Sequence, residues 1–146
     1  MLLRLLCAMA ASLLLAGCAQ QPPVETAATA PVAVVDDPQR CVERADCTTK
    51  VSRTLLFVFD YAAAGGALVE RQGRELFTPA DAAPSDWPAL HIRLAAASAS
   101  RFEFSSECRA QTCRYTEPQL LRVYRSYLRG EACSLLLDSA VRGCRE

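Results

Sequence analysis

The residues of this chain best suited to chemistry are its cysteines. Six of the eight, Cys41, Cys47, Cys108, Cys113, Cys133 and Cys144, lie C-terminal to residue 40. Cys108-x4-Cys113 has a loosely ligand-like spacing, but there is no CxxC pair and no nearby histidine to close a tetrahedral site, so neither zinc nor any other cofactor is expected. Thioredoxin-like electron transfer also uses CxxC, at a helix N-terminus. An even number of cysteines in a small exported domain predicts three disulfides instead, drawn from fifteen possible pairings. Sequence neighbours suggest Cys41–Cys47 and Cys108–Cys113, which leaves Cys133 with Cys144. One continuous helix over 133–144 would hold the last two α-carbons about 16 Å apart, well beyond the roughly 7 Å that a disulfide spans. Either the chain reverses near Asp138-Ser139, or these two cysteines pair elsewhere.

Other side chains offer weaker chemistry. His91 is the single histidine. A general base needs a nucleophile and an orienting acid beside it, and the sequence has no nucleophile elbow or other motif that selects a serine for the role. Asp36-Asp37, Glu103 and Glu107 fall where solvated carboxylates are expected, so no enzyme is expected either. Arg122, Arg125 and Arg129 recur at helical spacing within an arc of about 60°. They form either a solvated helix face or a fork-like surface for cell-wall carboxylates, lipid headgroups or an acidic partner protein. Trp87, in Ser85-Asp86-Trp87-Pro88, is read as an exposed anchor or as a plug at the core's edge.

Positioning these residues requires a fold, and the pattern is that of a small α+β domain in which three to five antiparallel strands precede one or two C-terminal helices. Leu90 to Leu94 and Arg101 to Phe104 alternate apolar with polar, which predicts a hairpin with Leu90, Ile92, Leu94, Phe102 and Phe104 inward and His91, Arg93, Arg101 and Glu103 outward. Leu68 to Phe77 reads as a further hairpin around Gln72-Gly73 or as a short helix, and Pro79 to Pro88 as a loop. Thr54 to Tyr61 is ambiguous. Leu55, Phe57, Phe59 and Tyr61 alternate as in a strand, whereas Val51, Leu55, Phe59 and Ala62 keep helical spacing with Gly65 as a stop; the β-branched and aromatic content favours the strand. The clearest helix begins at Thr116, whose Thr-x-x-Gln pattern with Gln119 is a capping box; Pro118 sits in its first turn and Gly130 ends it. Its apolar side is Leu120, Val123, Tyr124, Tyr127 and Leu128. A last segment, Ala132 to Val141, is expected to be helical at its start.

The N-terminus carries an address. Arg4 precedes an apolar run from Leu5 to Leu15, interrupted only by Ser12, which is the layout of a secretory signal and far short of the roughly 20 residues that span a bilayer. The run closes on Leu15-Ala16-Gly17-Cys18, which resembles the lipobox of bacterial lipoproteins. That resemblance covers residues 1–18 alone and implies cleavage of 1–17, diacylation of the Cys18 thiol, loss of Cys7 with the leader, and a membrane held through the lipid anchor. Ala19, where inner-membrane lipoproteins carry Asp, implies an outer-membrane lipoprotein facing the periplasm of a Gram-negative cell. Residues 19–40 are rich in Pro, Ala, Gln and Thr, which is linker composition with a mean reach of about 26 Å.

The expected organisation is therefore a signal peptide over 1–17, a lipidated Cys18 with flexible linker over 18–40, and a disulfide-stapled domain over 41–146. Sixteen basic residues balance sixteen acidic ones, so nucleic acid is not an expected partner. The expected role is a non-catalytic envelope lipoprotein whose domain binds an envelope protein or a cell-wall component in an assembly. The alternative is a periplasmic inhibitor or immunity protein against a lytic enzyme.

Overall fold

The computed structural model describes residues 36–97 and 100–145. The chain divides into two units at Val35/Asp36. The leader, Cys18 and the linker as far as residue 35 lie outside the described residues. In the second unit, helix α1 (Arg44–Ala63) precedes strands β1 (Glu70–Gln72), β2 (Glu75–Phe77), β3 (Ala89–Arg93) and β4 (Glu103–Glu107), and helices α2 (Glu117–Arg129) and α3 (Asp138–Gly143) follow. The strands form an antiparallel meander in the order β1-β2-β3-β4. The domain is α+β, as its pattern predicts.

Both hairpins form. Gly73, at φ +62°, turns β1 into β2, and Leu76, Ile92 and Phe104 share one row of the inner sheet face. Leu90, Ile92, Leu94 and Phe102 are buried and Phe104 is half-buried, while His91, Arg93, Arg101 and Glu103 are exposed. The strand edges are protected. Gln39 accepts from the Phe102 amide through its carbonyl and donates to the Phe102 carbonyl through Nε2, and Glu117 Oε2 accepts from the Ser106 amide at 3.0 Å beside β4. At the other edge, β1 has only three residues, all exposed. Short or covered edges resist pairing with another chain.

Thr54 to Tyr61 is helical, which overturns the strand expected there. The buried residues of α1 are Thr54, Phe57, Val58 and Tyr61, a 3.6-residue period, while Phe59, on the inward side of the strand reading, is exposed. Helix-forming residues on both flanks extend the segment to 20 residues, and in that context packing outweighs local β-propensity. Helix α1 ends tightly. The Gly66 amide donates to the Tyr61 carbonyl at 2.9 Å, and a Cβ at Gly66 would fall 2.2 Å from the Tyr61 ring, so only glycine fits there.

Helix α2 follows its sequence closely. The Thr116 amide donates to Gln119 Oε1 at 2.8 Å, and Gly130 at φ +88° lets the Glu131 amide reach the Ser126 carbonyl at 3.0 Å. Residues 131–137 are not helical and helix starts only at Asp138, the reverse of the order expected for the last segment. The Ser126 hydroxyl, inside α2, accepts from the Cys133 amide at 2.9 Å, which fixes the turn after the helix. This reversal brings the α-carbons of Cys133 and Cys144 to 5.9 Å, and they are bonded. Cys41–Cys47 and Cys108–Cys113 are bonded as well, with α-carbons 5.0 and 5.8 Å apart.

Aromatic rings fill the space between the helices and the sheet. Phe57 meets Tyr124 at 5.2 Å and Tyr127 at 5.4 Å, and the string continues from Tyr61 through Trp87 to Tyr115. All four tyrosines are buried, and each hydroxyl has a partner. Tyr61 donates to the Pro88 carbonyl, Tyr115 to Asp138, and Tyr127 to Asp60 at 2.7 Å, while Tyr124 and Thr54 share a bond of 3.0 Å. Burial holds all four phenols above the usual tyrosine range.

Candidate functional site

The arginine row is set by the register of α2, and it is not a freely solvated surface. Arg122, Arg125 and Arg129 are each half-buried. Arg125 Nε donates to Gln39 Oε1 at 3.0 Å, an acceptor shared with Arg101 at 3.2 Å. Gln39 in turn donates to the Phe102 carbonyl, and Asp37 pairs with Arg101 at 2.7 Å. Arg125 therefore ties the incoming chain to the domain. Burial of Pro38 and Gln39 shows that packing begins just before Cys41.

His91 lies on the open outer face of the sheet, with Phe77 and Ser105 opposite it on the neighbouring strands. Its Nε2 is 3.1 Å from Glu75 Oε2. The same carboxylate accepts from Arg93 Nε at 2.6 Å, and Arg93 also reaches Glu103 at 3.6 Å. The Arg93 guanidinium holds Glu75 below the usual carboxylate range. An acid, an imidazole and a hydroxyl thus share a neighbourhood, but a carboxylate neutralised by Arg93 polarises an imidazole poorly. His91, Ser105, Glu107 and Arg109 line a shallow groove of about 170 Å³.

Trp87 is a core plug. Tyr61 and Tyr115 meet its ring edge-on at 4.9 and 5.1 Å, and the Arg114 guanidinium, paired with Asp86 at 3.1 Å, lies 5.5 Å from its centroid. Of the six domain cysteines, Cys41 and Cys144 are buried, whereas Cys108 is exposed on the loop after β4. No group of three or more potential metal ligands occurs among the described residues, and no helix among them is long and apolar enough to cross a membrane. Cys18, the lipidation candidate, falls outside the described residues.

Sequence reasoning passed over the outward side of α1. Phe59 is 70% exposed and Leu56 50% exposed. The available signal was the unbroken apolar run Leu55 to Phe59. In a strand such a run can bury both faces, but in a helix packed on one side it must leave members at the surface.

Comparison with family models, curated proteins and solved structures finds no match. Function therefore rests on the chain's own residues.

Proposed function

We propose that this chain is a non-catalytic lipoprotein of the cell envelope, tethered through Cys18 to the outer membrane on its periplasmic side, whose small domain binds another envelope component. The observation that carries this reading is Leu15-Ala16-Gly17-Cys18, followed by a spacer and then a domain whose packing starts at Pro38. Three disulfides, each closing a short loop, and bonded phenols throughout the core make that domain a rigid presenter of its surface. Two acyl chains suffice for stable attachment at about 0.8 kcal/mol per buried CH₂.

Fractionation and covalent capture test the reading together. The native chain is expected in the membrane fraction, with an intact mass that includes acyl chains on a terminus at Cys18, and Cys18→Ser should release it. Chemical crosslinking of whole envelopes should then recover stoichiometric subunits of an assembly or cell-wall fragments. Recovery of a single lytic hydrolase would replace the assembly role with that of a blocker, and an unacylated soluble chain would overturn the tether.

A further inference from the structure

Helix α1 has a second face built for helix packing. Ala45, Thr49, Ser52, Leu56, Phe59 and Ala63 follow one another at alternating intervals of four and three residues, and all six are exposed. That is the spacing of a helix–helix seam, and it continues for about 27 Å of helix. The outward side of a surface helix is ordinarily charged. The six ridge positions carry no charge, and among the exposed residues of α1 only Arg44, at its start, is charged.

Its polar atoms are also already satisfied. The Thr48 and Thr49 hydroxyls donate to the carbonyls of Arg44 and Ala45 at 2.9 and 3.0 Å, and the Ser52 hydroxyl donates to the Thr48 carbonyl at 3.3 Å. Turned back onto their own helix, these hydroxyls need no partner from water, so covering the ridge leaves no unmade hydrogen bond. The small residues of its first half permit close approach, and Leu56 and Phe59 supply the apolar area.

We propose that this ridge docks on the same ridge of a second copy, with the two helices antiparallel. Charge decides the occupant. The charged groups at the ridge margins are Asp46, Arg53 and Asp60 on one side and Arg44 on the other. Within the domain Arg53 Nη1 donates to the Leu128 carbonyl at 2.6 Å and Asp60 Oδ2 accepts from Tyr127 at 2.7 Å, which leaves the other guanidinium N–H groups and Asp60 Oδ1 for a second copy. With Leu56 of one copy against Phe59 of the other, each Arg53 comes within about one helical turn of the second copy's Asp60, so opposite charges face each other twice by symmetry. An anionic lipid surface fits less well, since helices that lie on membranes carry Lys and Arg at the margins of the apolar side, and two of these four marginal groups are acidic. One pair of helices covers less than the roughly 1,200–2,000 Å² of a standard interface, so free copies associate weakly, and tethering in one plane strengthens the contact by raising the effective concentration. The geometry of the contact rests on the folded domain, whereas its strength rests on the tether proposed above.

Benzoylphenylalanine placed at position 59 of the full chain and illuminated in intact cells should give an adduct with the mass of two copies. An adduct to phospholipid, an adduct to a different protein, or no adduct overturns the proposal. Two differently tagged copies should co-purify, and Leu56→Glu combined with Phe59→Glu should lower that recovery by about tenfold or more at an unchanged melting temperature. Undiminished recovery contradicts the assignment of this face. If the double variant fails to fold, the adduct at position 59 decides alone.

Discussion

Helices α1 and α2 pack against each other through Phe57, Tyr124 and Tyr127, yet they are built on different rules. Helix α2 is a one-sided helix, with a cap at Thr116, a stop at Gly130, and Leu120, Val123, Tyr124, Tyr127 and Leu128 buried together. Helix α1 buries Thr54, Phe57, Val58 and Tyr61 and still leaves Leu56 and Phe59 in water. A helix that needs only one apolar side to fold, and carries two, has a side left over for recognition.

The sharpest way to break this contrast is to cut back neighbours of one chemistry. Phe57→Ala should cost about 3–5 kcal/mol, since it empties the centre of the aromatic core, whereas Phe59→Ala should stay within about 0.5 kcal/mol of the wild type in urea unfolding. Equal costs would mean that α1 has no spare side.

The contrast between α1 and α2 also marks what was legible in the sequence. Short-range rules governed α2 and the two hairpins: a cap three residues from its partner, a glycine at a turn, alternation along Leu90 to Leu94. Residues 54–61 satisfied both periods at once, so the choice between helix and strand passed to packing against Tyr124 and Phe104, contacts made across more than 40 residues. The Arg125 bond to Gln39 spans 86 residues and was equally out of reach. The reversal before α3 was foreseeable as one of two alternatives, because α-carbon spacing forbids a Cys133–Cys144 bond along a straight helix.

Removing Cys133–Cys144 by a double change to Ala tests how much the segment after α2 depends on its staple. The loop it closes is the longest of the three, and chain entropy gives a loss of about 3 kcal/mol, against about 2 for either shorter loop. Differential scanning calorimetry under non-reducing conditions should rank the three in that order. A smaller effect of about 1–3 kcal/mol is expected for Thr54→Val, which keeps the shape of the α1–α2 contact but strands the Tyr124 hydroxyl without its partner. A loss comparable with that of Phe57→Ala would show that the polar contact, not the rings, governs the pairing.

The smallest effect is the most specific in pH. Asp46, in the first turn of α1, accepts from the Val42 amide at 2.9 Å and pairs with Lys50 at 3.2 Å, and that amide bond first and Lys50 second hold its carboxyl below the usual range. A carboxylate with a depressed folded-state pKa stabilises above its unfolded pKa, and the contribution fades as pH falls through the folded value. Asp46→Asn should therefore destabilise at pH 7 and be nearly neutral near pH 2, measured by thermal melting across pH. A deficit that does not vary with pH would assign the effect to packing at the start of α1.

The most direct test is the native mass of the mature chain extracted within discs of its own membrane, where the tether still holds copies in one plane. The predicted result is a pair of copies, each with acyl chains on a terminus at Cys18, that separates into single acylated chains when Phe59 is changed to Glu. Single copies at every concentration would contradict the second face of α1, and chains lacking acyl groups would contradict the tether.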